Sequence, residues 1–141
     1  MEYRFTINGR LPGINDLIAA DRRDRRAGNR LKQEAQEVVR IYILRDLKKL
    51  RIEEPVELHY RFFEPNRKRD MDNISGFAHK VIQDALVSSG VLKNDGWSNI
   101  VGMEDRFFVD STRPRIEVTI SEVDRSGHSE AGQRDPASGR F

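Results

Sequence analysis

The chain of 141 residues has no cysteine. Disulfides, thiolate nucleophiles, Cys-ligated zinc and iron–sulfur clusters are thereby excluded, and a reducing compartment is permitted. No apolar run comes near the ~20 residues that a membrane helix needs. The opening residues, Met1 to Thr6, lack the apolar stretch of a signal peptide. The expectation is a soluble cytoplasmic protein with no membrane partner. A strong excess of charge is also missing: 25 Lys and Arg face 23 Asp and Glu, a net +2. Net charge alone is weak support for a nucleic-acid partner. There is no internal repeat.

What the chain does have is charge in clusters. Arg22, Arg23, Arg25, Arg26, Arg30 and Lys32 share one short stretch, and Arg67, Lys68 and Arg69 form another. Such clusters can follow a phosphate backbone, or they can be solvated surface runs. The second cluster runs directly into two carboxylates, Asp70 and Asp72.

Alternating apolar residues predict strands over 3–8, 56–63, 98–109 and 115–121. Leu31, Ala35, Val38, Val39 and Tyr42 give a helix over 30–50 its apolar face. Ile74, Ala78, Val81, Ile82, Ala85 and Leu86 do the same for a helix over 73–89, with Asp72 or Asn73 as N-cap and Gly90 as its stop. Residues 14–20 read as irregular or a single helical turn, and 21–29 as an exposed loop or a helix entry. The expected fold is α/β (α+β), in β-α-β-α-β-β order. A small mixed sheet of about four strands carries two helices on one face. One domain covers 1–122, and 123–141 has too little to bury and is expected to be disordered.

Asp70 and Asp72 are two apart, so in extended chain their side chains point the same way. Mg²⁺ takes oxygen ligands and is usually held by one or two carboxylates plus substrate phosphate. The plainer reading makes Asp72 an N-cap and Asp70 a partner of Arg69. A third acid, Asp95, follows in Lys93-Asn94-Asp95-Gly96. A helix of ~17 residues spans roughly 25 Å. The chain must therefore turn back along the helix for the next strand to bring Asp95 beside the pair; Asp-Gly is also a plain turn signal. Lys80 shares a helix face with Asn73, two turns earlier. It either contacts phosphate or makes a surface ion pair with Asp84, worth under ~1 kcal/mol. His79 and His128 have no partner spacing of interest. Trp97 can stack on a base or serve as a partly buried anchor, and the anchor is the expectation.

These residues resemble the RusA family of Holliday-junction resolvases. The resemblance runs from Asn66-Arg67-Lys68-Arg69 into Asp70-Met71-Asp72-Asn73. It continues through Lys80-Val81-Ile82-Gln83-Asp84-Ala85-Leu86 to Gly90 and Asn94-Asp95, with Leu11-Pro12-Gly13-Ile14-Asn15 upstream. It covers about residues 3–121. It implies a homodimeric endodeoxyribonuclease that uses Mg²⁺ or Mn²⁺ and cuts four-way DNA junctions by paired symmetric nicks. Members often come from phages and prophages. Asp70, Asp72 and Asp95 match the metal-binding catalytic acids and Lys80 the catalytic lysine. Arg22, Arg23, Arg25, Arg26, Arg30, Arg67, Lys68 and Arg69 are the candidate DNA contacts, with Asn15, Asn73 and Lys93 beside them. One departure stands out. The family more often has about four fewer residues before the lysine, and counted without a gap the position falls on Gly76. Two other classes compete: a non-catalytic DNA-binding or phage regulatory protein of the same fold, and a phosphohydrolase of small substrates. Basic clusters disfavour the latter. Three acids beside phosphate disfavour a pure binder.

Overall fold

The computed structural model describes residues 1–124. The tail expected from residue 123 onward lies outside them, save Val123 and Asp124; the Val123 amide donates to the Pro55 carbonyl at 2.8 Å. The elements are β1 (Glu2–Asn8), α1 (Ile14–Arg23), α2 (Arg25–Leu47), β2 (Val56–Glu64), α3 (Met71–Ser88), β3 (Ile100–Val109) and β4 (Arg115–Glu122). The four strands form one mixed sheet in the order β1-β4-β2-β3. β4 runs antiparallel to both β1 and β2, and β3 runs parallel to β2. The class is the expected one, with three helices where two were expected.

Strict alternation along β2 puts Val56, Leu58, Tyr60 and Phe62 in the core, and Glu57, His59, Arg61 and Phe63 on the other face. Phe5 and Ile7 of β1 and Ile116, Val118 and Ile120 of β4 join the same core. The helices cover that face alone. α3 buries Ile74, Phe77, Ala78, Val81, Ile82, Ala85 and Leu86. α2 buries Ala35, Val39, Ile43 and Leu47, and Val38 stays 43% exposed. Its apolar stripe is thus turned from the expected one toward Ile43 and Leu47.

The added helix comes from 14–23, where only Ala20 is buried. Ile14 and Leu17 also pack against the core but stay partly exposed, so ten residues offer only a short apolar period to read. Asp24 ends α1 and caps α2 in extended conformation, and its side chain accepts from the Arg26 amide at 3.0 Å. The polar run 21–29 is therefore two helix ends joined at Asp24. Gly28 lets them pack, because a Cβ there would collide with the Asp21 carboxylate.

Candidate active site

The C-terminal end of β2 is held by a buried ion cluster. Glu64, 6% exposed, accepts from Arg69 at 3.3 and 3.0 Å and pairs with Arg10 at 3.1 Å. Arg69 also donates to the Leu11 carbonyl at 3.1 Å. A buried carboxylate is tolerable only when paired this fully. The clamp fixes the loop before α3 to the turn before α1. Next to it, the Asn73 side-chain oxygen accepts from the Asn15 amide at 2.8 Å. Gly13 is small because a Cβ would press into Asn73. The N-termini of α1 and α3 therefore abut, and Asn73 caps α1 rather than its own helix. Asp70 is the N-cap residue of α3, without a side-chain cap bond, and Asp72 sits in the first turn. Both are exposed. The free amides of a helix N-terminus favour negative charge there.

Neither Asp70, Asp72 nor Asp95 has a side-chain hydrogen bond or ion pair among the described residues. Asp70 does not pair with Arg69, which is committed to Glu64. Two exposed, unpartnered carboxylates at one helix start suit a hard cation that keeps its own waters. Within one chain, however, no three acids or histidines gather closely enough to enclose a metal among the described residues. Asp95 is the reason. β3 is parallel to β2, with Ile100 opposite Val56 and Val109 opposite Glu64. A parallel pair needs a crossover, and α3 supplies it. The chain between α3 and β3 thus stays at the start of β2. It is pinned there by the Ile52 amide on the Val91 carbonyl and the Val56 amide on the Asn99 carbonyl, both 2.8 Å. Asp95 lies in that segment. α3, 18 residues and about 27 Å long, lies between Asp70 and Asp72 at its start and the segment that holds Asp95 beyond its end. The expected return along the helix does not occur within the chain.

Lys80 is 65% exposed and pairs with Asp84 at 3.4 Å. It lies eight residues beyond Asp72, about 12 Å along α3. Gly76, the ungapped position for the lysine, lies under Ile14; a Cβ there would come within 2.9 Å of it. Arg67, Lys68 and Lys93 are exposed. So are Arg22, Arg23, Arg25, Arg26 and Arg30 at the α1–α2 elbow, where Arg26 approaches Asp24 at 3.6 Å. Arg22 stands seven residues, about 10 Å, along α1 from the Asn15 contact. Arg69 is a clamp residue, so the basic loop presents Arg67 and Lys68 only. The open sheet face is neutralised by its own pairs: Arg61–Glu117 at 3.9 Å, Arg106–Glu104 at 3.1 Å and Arg115–Glu117 at 2.8 Å.

Sequence reasoning missed the Glu64–Arg10–Arg69 cluster. The signal was Glu64 at a position that alternation places in the core. His79, read as bland, bonds Asp105 at 2.8 Å and lies 4.5 Å from the Tyr60 ring. Trp97, expected to be partly buried, is 97% exposed.

Fold and site together define a small α+β domain that presents unpartnered carboxylates and a basic loop at the start of a central helix. No curated protein sequence matches it. The family model for endodeoxyribonuclease RusA matches residues 18–121. The chain belongs to the RusA family of Holliday-junction endodeoxyribonucleases. No helix among the described residues is long and apolar enough to cross a membrane.

Proposed function

We propose that this chain is a metal-dependent endodeoxyribonuclease that works as a homodimer and resolves four-way DNA junctions by paired nicks. Family membership supports the activity on junctions. The observation that carries the site is the pair of unpartnered carboxylates, Asp70 and Asp72, at the clamped start of α3. With Mg²⁺ or Mn²⁺ bound, they would hold an ion that activates a water and polarises the scissile phosphate. Asp95 cannot join them in its own chain, so the reading assigns it to the other chain's pair. Each site then takes Asp70 and Asp72 from one subunit and Asp95 from its partner. Arg67, Lys68 and the α1–α2 elbow hold duplex arms through phosphates without reading sequence. Lys80, if freed from Asp84, offsets charge on the reacting phosphate.

The test is cleavage of a synthetic four-way junction, with linear duplex as control, in Mg²⁺, in Mn²⁺ and in chelator. Metal-dependent paired nicks in the junction alone are expected. Tight junction binding with no cleavage in either metal would instead identify a non-catalytic binder of the same fold.

A further inference from the structure

The chain has a single tryptophan, and the solvent covers it: Trp97 is 97% exposed. Tryptophan is highly buried on average, since its ring offers ~150–250 Å² to a contact. Among the described residues Trp97 has no hydrogen bond, no ring against it and no cation over it. The backbone beneath it is nevertheless fixed. The Gly96 carbonyl accepts from the Asn99 and Ile100 amides, both at 3.0 Å, and the Asn99 carbonyl accepts from the Val56 amide at 2.8 Å. On the other side of the loop, Val91 and Leu92 are anchored in the core. The turn thus displays the ring ready-placed, so little ordering remains to be done when a partner covers it.

Charge at this end of the molecule indicates the partner's chemistry. Lys49 and Arg51 lie on the link between α2 and β2. The Ile52 amide on the Val91 carbonyl, at 2.8 Å, ties that link to the loop. Arg51 also lies against Gly90, 3.1 Å from where a Cβ would stand. Lys93 is four residues before Trp97, at most ~14 Å along the chain. Lys49, Arg51 and Lys93 are exposed, and none has an ion pair among the described residues. The acids here are Glu53, Glu54 and Asp95; Glu53 and Glu54 are not free, and Asp95 is assigned above to a metal. Unpaired cations around an uncovered indole suit a partner that carries both phosphates and flat rings.

We propose that Trp97 stacks on a base pair at the branch point of a DNA junction, with Lys49, Arg51 and Lys93 on the flanking phosphates. This rests on the reading above that the substrate is branched DNA. Where four arms meet in an open junction, each base pair at the branch point has one face without a stacking neighbour. An aromatic ring can cover that face, as apolar wedges do at kinked base steps. A linear duplex offers such a face only at its ends, and the arms of a junction have those ends too. Phosphate contacts hold any duplex alike. A ring on the branch-point face is therefore what separates a junction from plain DNA. This contact is also apart from the basic loop. It lies beyond the start of β2, while Arg67 and Lys68 lie beyond its end, with nine residues of strand, about 30 Å, between.

With one tryptophan, all indole emission reports on Trp97. The full chain is titrated in chelator with a synthetic four-way junction, and with a linear duplex that has the same arm ends. Binding is followed in parallel by gel shift. The bound junction should quench the indole and shield it from acrylamide, and the bound duplex should do neither. Trp97→Ala should lower junction affinity about tenfold or more and leave duplex affinity unchanged, while Trp97→Phe, which keeps a ring, should retain most of it. Lys49→Ala, Arg51→Ala and Lys93→Ala should weaken junction and duplex alike, each reducing the salt slope by about one. A junction bound without quenching, equal quenching by the duplex, or Trp97→Ala binding both DNAs as wild type would overturn the proposal. So would an indole already shielded from acrylamide in the free chain, which would mean that a protein face covers it. A chain that cuts junctions with its indole unquenched removes the stacking site alone. A chain quenched by the junction that cuts it in neither Mg²⁺ nor Mn²⁺ keeps the stacking site and removes the nuclease reading.

Discussion

Mixing two inactive variants decides whether the acids act across subunits. α3, about 27 Å long, lies between Asp70 and Asp72 at its start and the segment that holds Asp95 beyond its end, and no three acids gather to hold an ion among the described residues. If each site is shared, Asp72→Asn and Asp95→Asn each disable both sites of a homodimer. Combined in equal amounts with free exchange, about half the dimers carry one chain of each kind by random pairing. In such a heterodimer one site receives both substitutions and the other receives none. The mixture then holds about one quarter of the wild-type number of intact sites. Its product is a junction nicked once, because the second site of the same dimer is dead. The assay is single-turnover cleavage of a junction labelled on opposing strands, after co-refolding of the two variants. If the acids acted within one chain, no chain in the mixture would be intact. A mixture as inactive as its components, with exchange shown by a tag on one variant, refutes the shared site.

The remaining expectations concern single positions. Asp70→Asn should abolish cleavage and leave junction binding intact or tighter, measured by gel shift. Lys80→Ala should slow single-turnover cleavage about 10²-fold if its charge meets the reacting phosphate; an unchanged rate marks it as Asp84's surface partner, worth under ~1 kcal/mol. Glu64→Ala leaves Arg69 and Arg10 without their shared carboxylate and should cost about 3 kcal/mol, a Tm lower by about 10 °C. Asp110 is held down to about 2, first by the Arg115 hydrogen bond and then by Thr112. The unfolded chain takes up that proton first, so this stabilisation is complete above the ordinary value of 3.8 and is lost as pH falls toward 2. Asp110→Asn should flatten the acid limb of a Tm-against-pH curve.

Much of the scaffold was legible because burial imposes a period. Val56, Leu58, Tyr60 and Phe62 alternate, and Ile74, Val81 and Leu86 recur at helical spacing, so β2 and α3 declare themselves. α1 does not, since Ala20 is its one buried residue. The Asp-x-Asp pair was legible from spacing. The place of Asp95 was not, because apolar alternation in β3 reads the same whether the strand runs parallel or antiparallel to β2. The fate of Arg69 was hidden for a related reason: its partner Glu64 and acceptor Leu11 meet only through tertiary contact. Asn73 looked like a cap for its own helix, and its oxygen went to the neighbouring one.

The length of α3 acquires a meaning in a dimer with shared sites. One site would hold a chain's Asp70 and the other the same chain's Asp95, so the helix between them, about 27 Å long, contributes to the spacing of the two cuts. The longer spacing before Lys80 that the resemblance implies would add about one turn, 5–6 Å, to that helix. This member should then favour a junction whose opposing scissile phosphates are splayed further apart, and removing four residues from the helix should draw its two nicks closer together.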